Sequence, residues 1–302
     1  MKIILTGGSG FIGSKLVSAL ATKGHEVVIL TRHPSSIKKT YPNVRAIEWD
    51  GNSPGGWTSE VDGADAIMNF AGESIGGKRW TSKQKEKILS SRIDATRTLV
   101  AAMKQAKKKP AVLVNASAVG YYGPVEEGEV DETHPAGNDF LAEVCKRWEQ
   151  EARAAEQLGV RVVVLRQGVV LDEGGGALER MSLPFKLFVG GPVGSGRQWF
   201  PWIHRDDVVA VALFVMENAS VAGAVNVVAP ELIRMKEFSN ALGNAVHRPS
   251  FFPVPGFVLK IVLGEMSQMI LTGQPVVPAR LNAANYSFLY PHAGSALRKI
   301  FS

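Results

Sequence analysis

The chain has 302 residues, 45% of them hydrophobic, enough for one large domain or for a main domain with a smaller partner. No stretch approaches the about eighteen continuous apolar residues of a membrane span, and the opening "MKIILTGG" lacks the apolar length and cleavage site of a secretory signal. A net charge of +6 is too mild for a nucleic-acid binder, and the single cysteine, Cys145, excludes an intrachain disulfide and fits a reducing, cytoplasmic setting.

The first elements alternate. "KIILTGG" is an apolar run stopped by glycine, as in a buried strand. "FIGSKLVSALATKGH" follows with Ile12, Leu16 and Leu20 on one helical face, and Gly24 ends it. "EVVILTR" is the next strand, which completes a βαβ unit of about thirty residues. Short strands are expected at "VRAIEWD" and "ADAIMNFAG", then a long helix capped by Thr81. "AVLVNASAVG", the helix "FLAEVCKRWEQEARAAEQLG" and the strand "VRVVVLRQGVVL" continue the pattern. The fold class is α/β: a doubly wound parallel sheet, the Rossmann arrangement, with a smaller, mostly helical C-terminal lobe.

Beyond Asp172 the chain turns rich in glycine and aromatics. A helix at "DDVVAVALFVMENA" and a strand at "GAVNVVAP" return to the sheet. The expected division is 1–172 with 205–230 for the sheet domain, and 173–204 with 231–302 for the lobe. "VLKIVLGEMSQMILTG" reads as a helix or helix pair, and "ANYSFLYP" as a small extended piece docking back.

Gly8, Gly10 and Gly13 form G-x-G-x-x-G directly after a strand and at the start of a helix, overlapped by Gly7. That context fits a turn that receives a dinucleotide diphosphate on Gly7, Gly8, Ser9, Gly10, Phe11, Ile12 and Gly13. The lysine of a mononucleotide P-loop is absent. The end of the second strand carries Thr31 and Arg32 in place of a carboxylate. An arginine there pairs with a 2′-phosphate, which favours NADP(H) over NAD(H). Asn69, Ala71 and Gly72 end the fourth strand, where ligands pass in this architecture. Asp50 is placed either at the adenine amine or in solvent.

Ser117 ends another core strand, with Tyr121 and Tyr122 on the following loop. A tyrosine donates a proton when a nearby cation lowers its pKa from about ten. Each of the three also has an explanation as buried architecture, which weighs more for the tyrosines than for Ser117. Arg79, Trp80, Arg197, Trp199 and His204 are expected to wall a cleft for a small, anionic substrate. Arg92 reads as an ion-pair partner on the long helix. Asp207 is placed to cap amides or to hold His204. Adjacent His204, Asp206 and Asp207 make a poor chelate, so no metal is expected.

"TGGSGFIG", "NFAG", "SAVGYYG" and "PWIHRDDV" together resemble the extended short-chain dehydrogenase/reductase proteins, the NAD-dependent epimerase/dehydratase-like superfamily. "DFLAEVCKRWEQEA", "VVVLRQGVVL" and the tail "LNAANYSFLYPHAGSALRKIF" look like its "epimerase family protein" branch, which has its own C-terminal domain. The resemblance covers nearly the whole chain. It implies a serine followed by a Tyr-x-x-x-Lys pair on the next helix, and it aims Arg166 at the cofactor end of the cleft. The pair is missing. With Glu149 setting the register, its positions fall on Leu141 and Cys145; a slip of one brings Phe140 or Ala142 under the tyrosine position and Lys146 under the lysine position. Three readings follow: another acid such as Tyr121 or Tyr122 serves with Ser117 and Lys146; the protein binds NADP(H) without turnover, as a sensor or partner-binding module; or water or substrate handles the proton. A homodimer or a protein partner fits the second.

Overall fold

The structure is a computed structural model and describes residues 1–37 and 40–302. Among the described residues the strands are β1 Lys2–Thr6, β2 Glu26–Thr31, β3 Val44–Glu48, β4 Ala66–Asn69, β5 Val112–Ala118, β6 Arg161–Gln167, β7 Val169–Leu171, β8 Trp202–His204 and β9 Gly223–Val227. Seven of them form one parallel sheet in the order β3-β2-β1-β4-β5-β6-β9. The chain steps outward from β1 to β3, then restarts on the other side of β1 at β4. Strand order therefore reverses between β1 and β4, and a crevice opens at their carboxyl ends.

Four helices cover this sheet: α1 Phe11–Thr22, α2 Ser82–Gln105, α3 Phe140–Arg153 and, after α4 Gly176–Lys186, α5 Arg205–Glu217. Alternation along the strands sends side chains to both faces. Ile3, Leu5, Ile29 and Leu165 pack with Leu16 and Leu20 of α1 and Val208 and Val211 of α5. Ile4, Val28, Ile67 and Val164 pack with Leu99 and Met103 of α2 and Ala152 of α3. The ends of the helices follow local chemistry. Thr81 accepts from the Gln84 amide at 3.2 Å, and Asp139 caps α3 through the Ala142 amide at 2.8 Å. Gly24 follows α1 at φ +80°, where an L side chain is strained.

The expected strand from Val160 to Leu171 is two strands. At Gly168 the backbone passes so close to Pro201 that an added Cβ would meet its carbonyl oxygen at 2.8 Å. Beyond it β7 leaves the main sheet and pairs with β8. The second lobe is built from α4, α6 Met235–Ala245, α7 Gly256–Leu263, α8 Gln268–Leu271, α9 Ala279–Ala283 and α10 Ala293–Ile300. Its core joins Leu178, Phe185, Trp202, Phe238, Leu242 and Leu297. Helix α7 buries none of its side chains; Phe257 and Ile261 are 65% and 69% exposed.

The C-terminal segment also reaches the main sheet. Leu281, Tyr286 and Phe288 pack on the α5 face of the main sheet. The segment "ANYSFLYP" forms no strand; it is tied instead by Asp207, whose carboxylate accepts from the Leu289 and Tyr290 amides at 2.8 and 2.9 Å. Glu132 adds a second tie, accepting from Asn226 N at 2.9 Å and Arg280 N at 3.3 Å. Among the described residues no helix is long and apolar enough to cross a membrane.

Candidate functional site

The crevice is shaped by two turns. The first runs from Thr6 into α1. Gly7 sits at φ +71°, and an added Cβ there would lie 2.5 Å from the Phe70 carbonyl oxygen. Gly13 lies over the turn itself. The Gly10 amide closes on Gly7 O at 2.9 Å, and no side chain caps the helix. The first amides of α1 therefore meet the crevice without an internal acceptor, a ready anion site. Phe11 is turned from the crevice onto the lobe, under Arg205 at 4.5 Å and against Gly175 and Gly176. Arg205 in turn holds Asp172 at 2.7 Å.

The second turn follows β4. Asn69 is fully buried beneath it rather than facing the crevice. It receives a hydrogen bond from Thr6 Oγ1 at 2.6 Å and donates to Thr96 Oγ1 and Asn115 Oδ1 at 2.9 and 2.7 Å. Thr6 Oγ1 also accepts from the Phe70 and Ala71 amides, both at 3.2 Å. These bonds fix the backbone of Ala71 and Gly72, and Gly72 is exposed. Sequence reasoning missed Thr6, whose only signal is a hydroxyl just before the first glycine.

At the end of β2, Thr31 Oγ1 accepts from the His33 amide at 3.3 Å and Arg32 is exposed. Arg32 has no carboxylate partner among the described residues. Asp50 turns away: its carboxylate accepts from the Asn52 and Ser53 amides at 2.9 and 2.8 Å, which holds it below the usual aspartate pKa. It closes its own turn.

The expected reacting groups are drawn into a buried polar network. Ser117 donates to Glu149 Oε1 at 2.8 Å. Arg166 grips both oxygens of Glu149, each at 2.9 Å, with the two side chains 3% and 4% exposed. Arg166 also donates to Tyr122 Oη at 3.0 Å, and Tyr122 donates to Asn226 Oδ1 at 2.6 Å. Arg166 is thus held as a strut at the ends of β5, β6 and β9. Burial pushes the Tyr122 hydroxyl up to about 12 against the pull of Arg166. That makes Tyr122 a poor proton donor near neutrality. Tyr121 lays its ring on the same guanidinium at 3.4 Å. Lys146 pairs with Glu143 at 2.9 Å on the helix surface, 41% exposed. Leu141 and Cys145 share the face of α3 turned to the end of β5: Leu141 meets Gly120, and Cys145 Sγ reaches Ala118 O at 3.7 Å. Burial pushes the Cys145 thiol up to about 11.

Tyr122→Phe therefore has an expected outcome. It strips a partner from Asn226 and from Arg166, at a cost of about 1–3 kcal/mol in denaturant unfolding. The pH profile of any turnover stays in place; a shifted alkaline limb would return Tyr122 to the chemistry.

The cleft walls divide. Trp80 donates to Ile75 O at 3.0 Å and meets Phe140 edge-on, while exposed Arg79 lies against Gly264. Arg180 donates to Gly76 O. The loop after β4 is thus roofed by the second lobe. Trp199 stacks under Arg234 at 4.0 Å and donates to Glu126 O at 3.0 Å. Arg197 beside it is exposed, its carbonyl taken by Arg234. His204 leaves the cleft. It is 2% exposed, stacks on Tyr290 at 4.0 Å, and its Nδ1 accepts from the Asp206 amide at 3.1 Å as the cap of α5. Burial lowers its pKa, against the pull of Asp206 and Asp172. Asp207 holds the tail and not His204. Among the described residues no group of three or more His, Cys, Asp or Glu could hold a metal.

A parallel sheet whose strand order reverses beside a glycine turn and an uncapped helix defines a dinucleotide-binding α/β protein. The family model of the NAD dependent epimerase/dehydratase family matches residues 3–228, and a domain of unknown function, DUF1731, matches 254–300. The chain belongs to the NAD dependent epimerase/dehydratase family and has its NAD(P)-binding fold. It is 42% identical to the chloroplastic epimerase family protein SDR39U1 homolog of Arabidopsis thaliana, over 99% of this chain and 86% of that one. It is 39% identical to the epimerase family protein YfhF of Bacillus subtilis, over 100% and 98%. Among solved structures it resembles human epimerase family protein SDR39U1 with NADPH, with a TM-score of 0.87, 36% identity, and coverage of 100% and 99%.

Proposed function

We propose that the protein binds NADP(H) in preference to NAD(H) and acts as an oxidoreductase or epimerase-like enzyme on a small, anionic carbonyl or alcohol. One observation carries the reading: an uncapped helix start against a glycine turn, with exposed Arg32 at the end of β2 where a carboxylate would select the unphosphorylated cofactor. The human relative was solved with NADPH, which supports it. The residues fit such a ligand, because Gly7 and Gly13 keep the cradle free of side chains and Gly72 leaves the second rim open. When bound, the nicotinamide supplies or accepts hydride. The chain binds the diphosphate on the amides of α1 and the 2′-phosphate on Arg32. With Leu141 and Cys145 in the pair positions, the proton comes from substrate, water or Tyr121.

Titration calorimetry tests this directly. NADPH is expected to bind at least about tenfold tighter than NADH, as a forked, charged hydrogen bond supplies. Arg32→Ala removes most of that gap and leaves NADH unchanged. Equal affinities in the wild type overturn the Arg32 assignment, and uptake of neither cofactor overturns the whole reading.

A second reading is a catalytically silent NADP(H) sensor. It is favoured by Leu141 and Cys145 standing at the positions of the family's tyrosine and lysine. Protein loaded with NADPH and offered small aldehydes, ketones and keto acids separates the two. Loss of the nicotinamide absorbance supports the enzyme, and a Tyr121→Phe variant of unchanged rate removes Tyr121 from it.

A further inference from the structure

A helix that is apolar all round normally lies in a core. Helix α7, "GFVLKIVL", carries six large apolar side chains and one charge, yet it buries none of them. Phe257, Val258, Ile261 and Val262 recur at helical spacing and form one outward stripe. The stripe is part of a wider surface. The Phe252 amide donates to Gly190 O at 3.1 Å and the Val254 amide to Pro192 O at 2.9 Å, which lays the segment before α7 beside the end of α4. There Leu187, Phe188 and Val189, with Phe251 and Phe252 beside them, are all more than half exposed. Phe188 sits at φ +63°, a conformation that a bulky residue adopts only under strain. Four phenylalanines this exposed leave on the order of 500 Å² of ring surface in water. The largest apolar patch on a typical monomer is about 300–600 Å² in all, and here the aliphatic side chains come in addition.

This surface leads to the crevice. Both of its helices touch the loop after β4, three residues apart. Arg180 of α4 donates to Gly76 O. Helix α7 stops at Gly264, where an added Cβ would lie 3.1 Å from Nε and from Nη2 of Arg79. A guanidinium therefore stands where the apolar surface meets the rim. Arg79 is exposed and has no carboxylate partner among the described residues. The border is cationic throughout: neither 180–205 nor 247–264 holds an aspartate or glutamate, while Arg180, Lys186, Arg248 and Lys260 fall within them. Arg248 lies on the Phe188 ring itself, at 4.4 Å. Two copies of the chain facing each other here would set like charges together, whereas an anionic occupant is attracted.

We propose that the substrate is an amphiphile, whose anionic head enters the cleft past Arg79 and whose long hydrocarbon chain lies on α7 and the end of α4. The chain supplies the apolar cover that α7 lacks. This deepens the oxidoreductase reading and rests on it for the chemistry at the head; the site for the chain does not depend on it.

The test is calorimetry on NADPH-saturated protein with saturated fatty acids of six to twelve carbons, each kept below its micellar concentration. Affinity is expected to rise about two- to fourfold per methylene, roughly sixtyfold or more across the series. Phe257→Ser with Ile261→Ser flattens the rise, and leucine at both positions keeps it. Both side chains are mostly in water, so the fold survives the substitutions. Arg79→Gln weakens every member about tenfold and leaves the slope unchanged. An affinity independent of chain length, or a slope that survives both serines, overturns the proposal while NADPH binding stands. If the slope appears in protein that takes up no dinucleotide, the amphiphile site stands and the oxidoreductase reading fails. If no fatty acid binds and the two serines instead abolish binding to phosphatidylglycerol vesicles, or turn a dimer into a monomer in sedimentation, the surface is a membrane or subunit contact and the proposal is overturned.

Discussion

Gly13→Ala is expected to abolish measurable NADPH binding and to lower stability by about 3 kcal/mol, the scale of an overpacked core. The added methyl would stand 2.1 Å from Gly7 O, 2.8 Å from Gly7 C and 2.9 Å from Gly8 Cα. All three are backbone atoms, so no rotamer relieves the clash. Helix α1 must lift from the turn after β1, and its first amides move away from the point where they converge. An affinity loss of at least about a hundredfold corresponds to roughly 2.7 kcal/mol, a shift that a misplaced pair of charge-assisted bonds supplies. Gly24→Ala is the control. Nothing lies within 4 Å of its methyl, and only its φ of +80° is strained. It costs about 1 kcal/mol and leaves NADPH affinity intact. Urea unfolding and calorimetry on both variants decide the matter. Equal binding by Gly13→Ala and the wild type would remove the turn from the site.

Glu149→Ala is expected to cost about 3–5 kcal/mol, the price of stranding a buried charge. Its carboxylate accepts from Ser117 once and from Arg166 twice, at 2.8–2.9 Å, with both partners buried. Against a typical stability of about 5–15 kcal/mol this is a large fraction. The double variant Glu149→Leu with Arg166→Met is expected to recover most of the loss, because apolar groups of similar volume replace a buried pair at little cost. Guanidinium unfolding reads both. If Glu149→Ala unfolds within about 1 kcal/mol of wild type while cofactor affinity collapses, the network belongs to the ligand site and not to the scaffold.

What was legible in the sequence follows from how local its cause is. The turn after β1 was legible because its spacing is imposed by backbone contact between residues within six positions of each other. The strands were legible because burial on both faces makes them continuously apolar. The network around Glu149 was not. Glu149 served only to set register on α3, and its partner Arg166 is seventeen residues away on a different element. Tyr121 and Tyr122 are neighbours on one tight turn, so a single residue decides which hydroxyl is locked and which ring stacks. His204 and Asp207 looked like a polar pair ahead of a helix. Their roles depend on Leu289 and Tyr290, more than eighty residues later, which no local pattern announces. Arg92 was assigned an ion pair; among the described residues it instead donates to Ile88 O and stands over Trp148, on another helix, which only three dimensions show.

The two carboxylates that receive the tail have a consequence for how such chains diversify. Asp207 and Glu132 lie within the segment matched by the epimerase/dehydratase model, yet they take up backbone amides of Leu289, Tyr290 and Arg280, inside the segment matched by the other. A C-terminal module grafted from another protein would leave these acids facing empty space unless its own main chain followed the same path. The lobe that roofs the loop after β4 is therefore inherited together with the sheet beneath it, and new specificities in this architecture must arise by changing side chains in place.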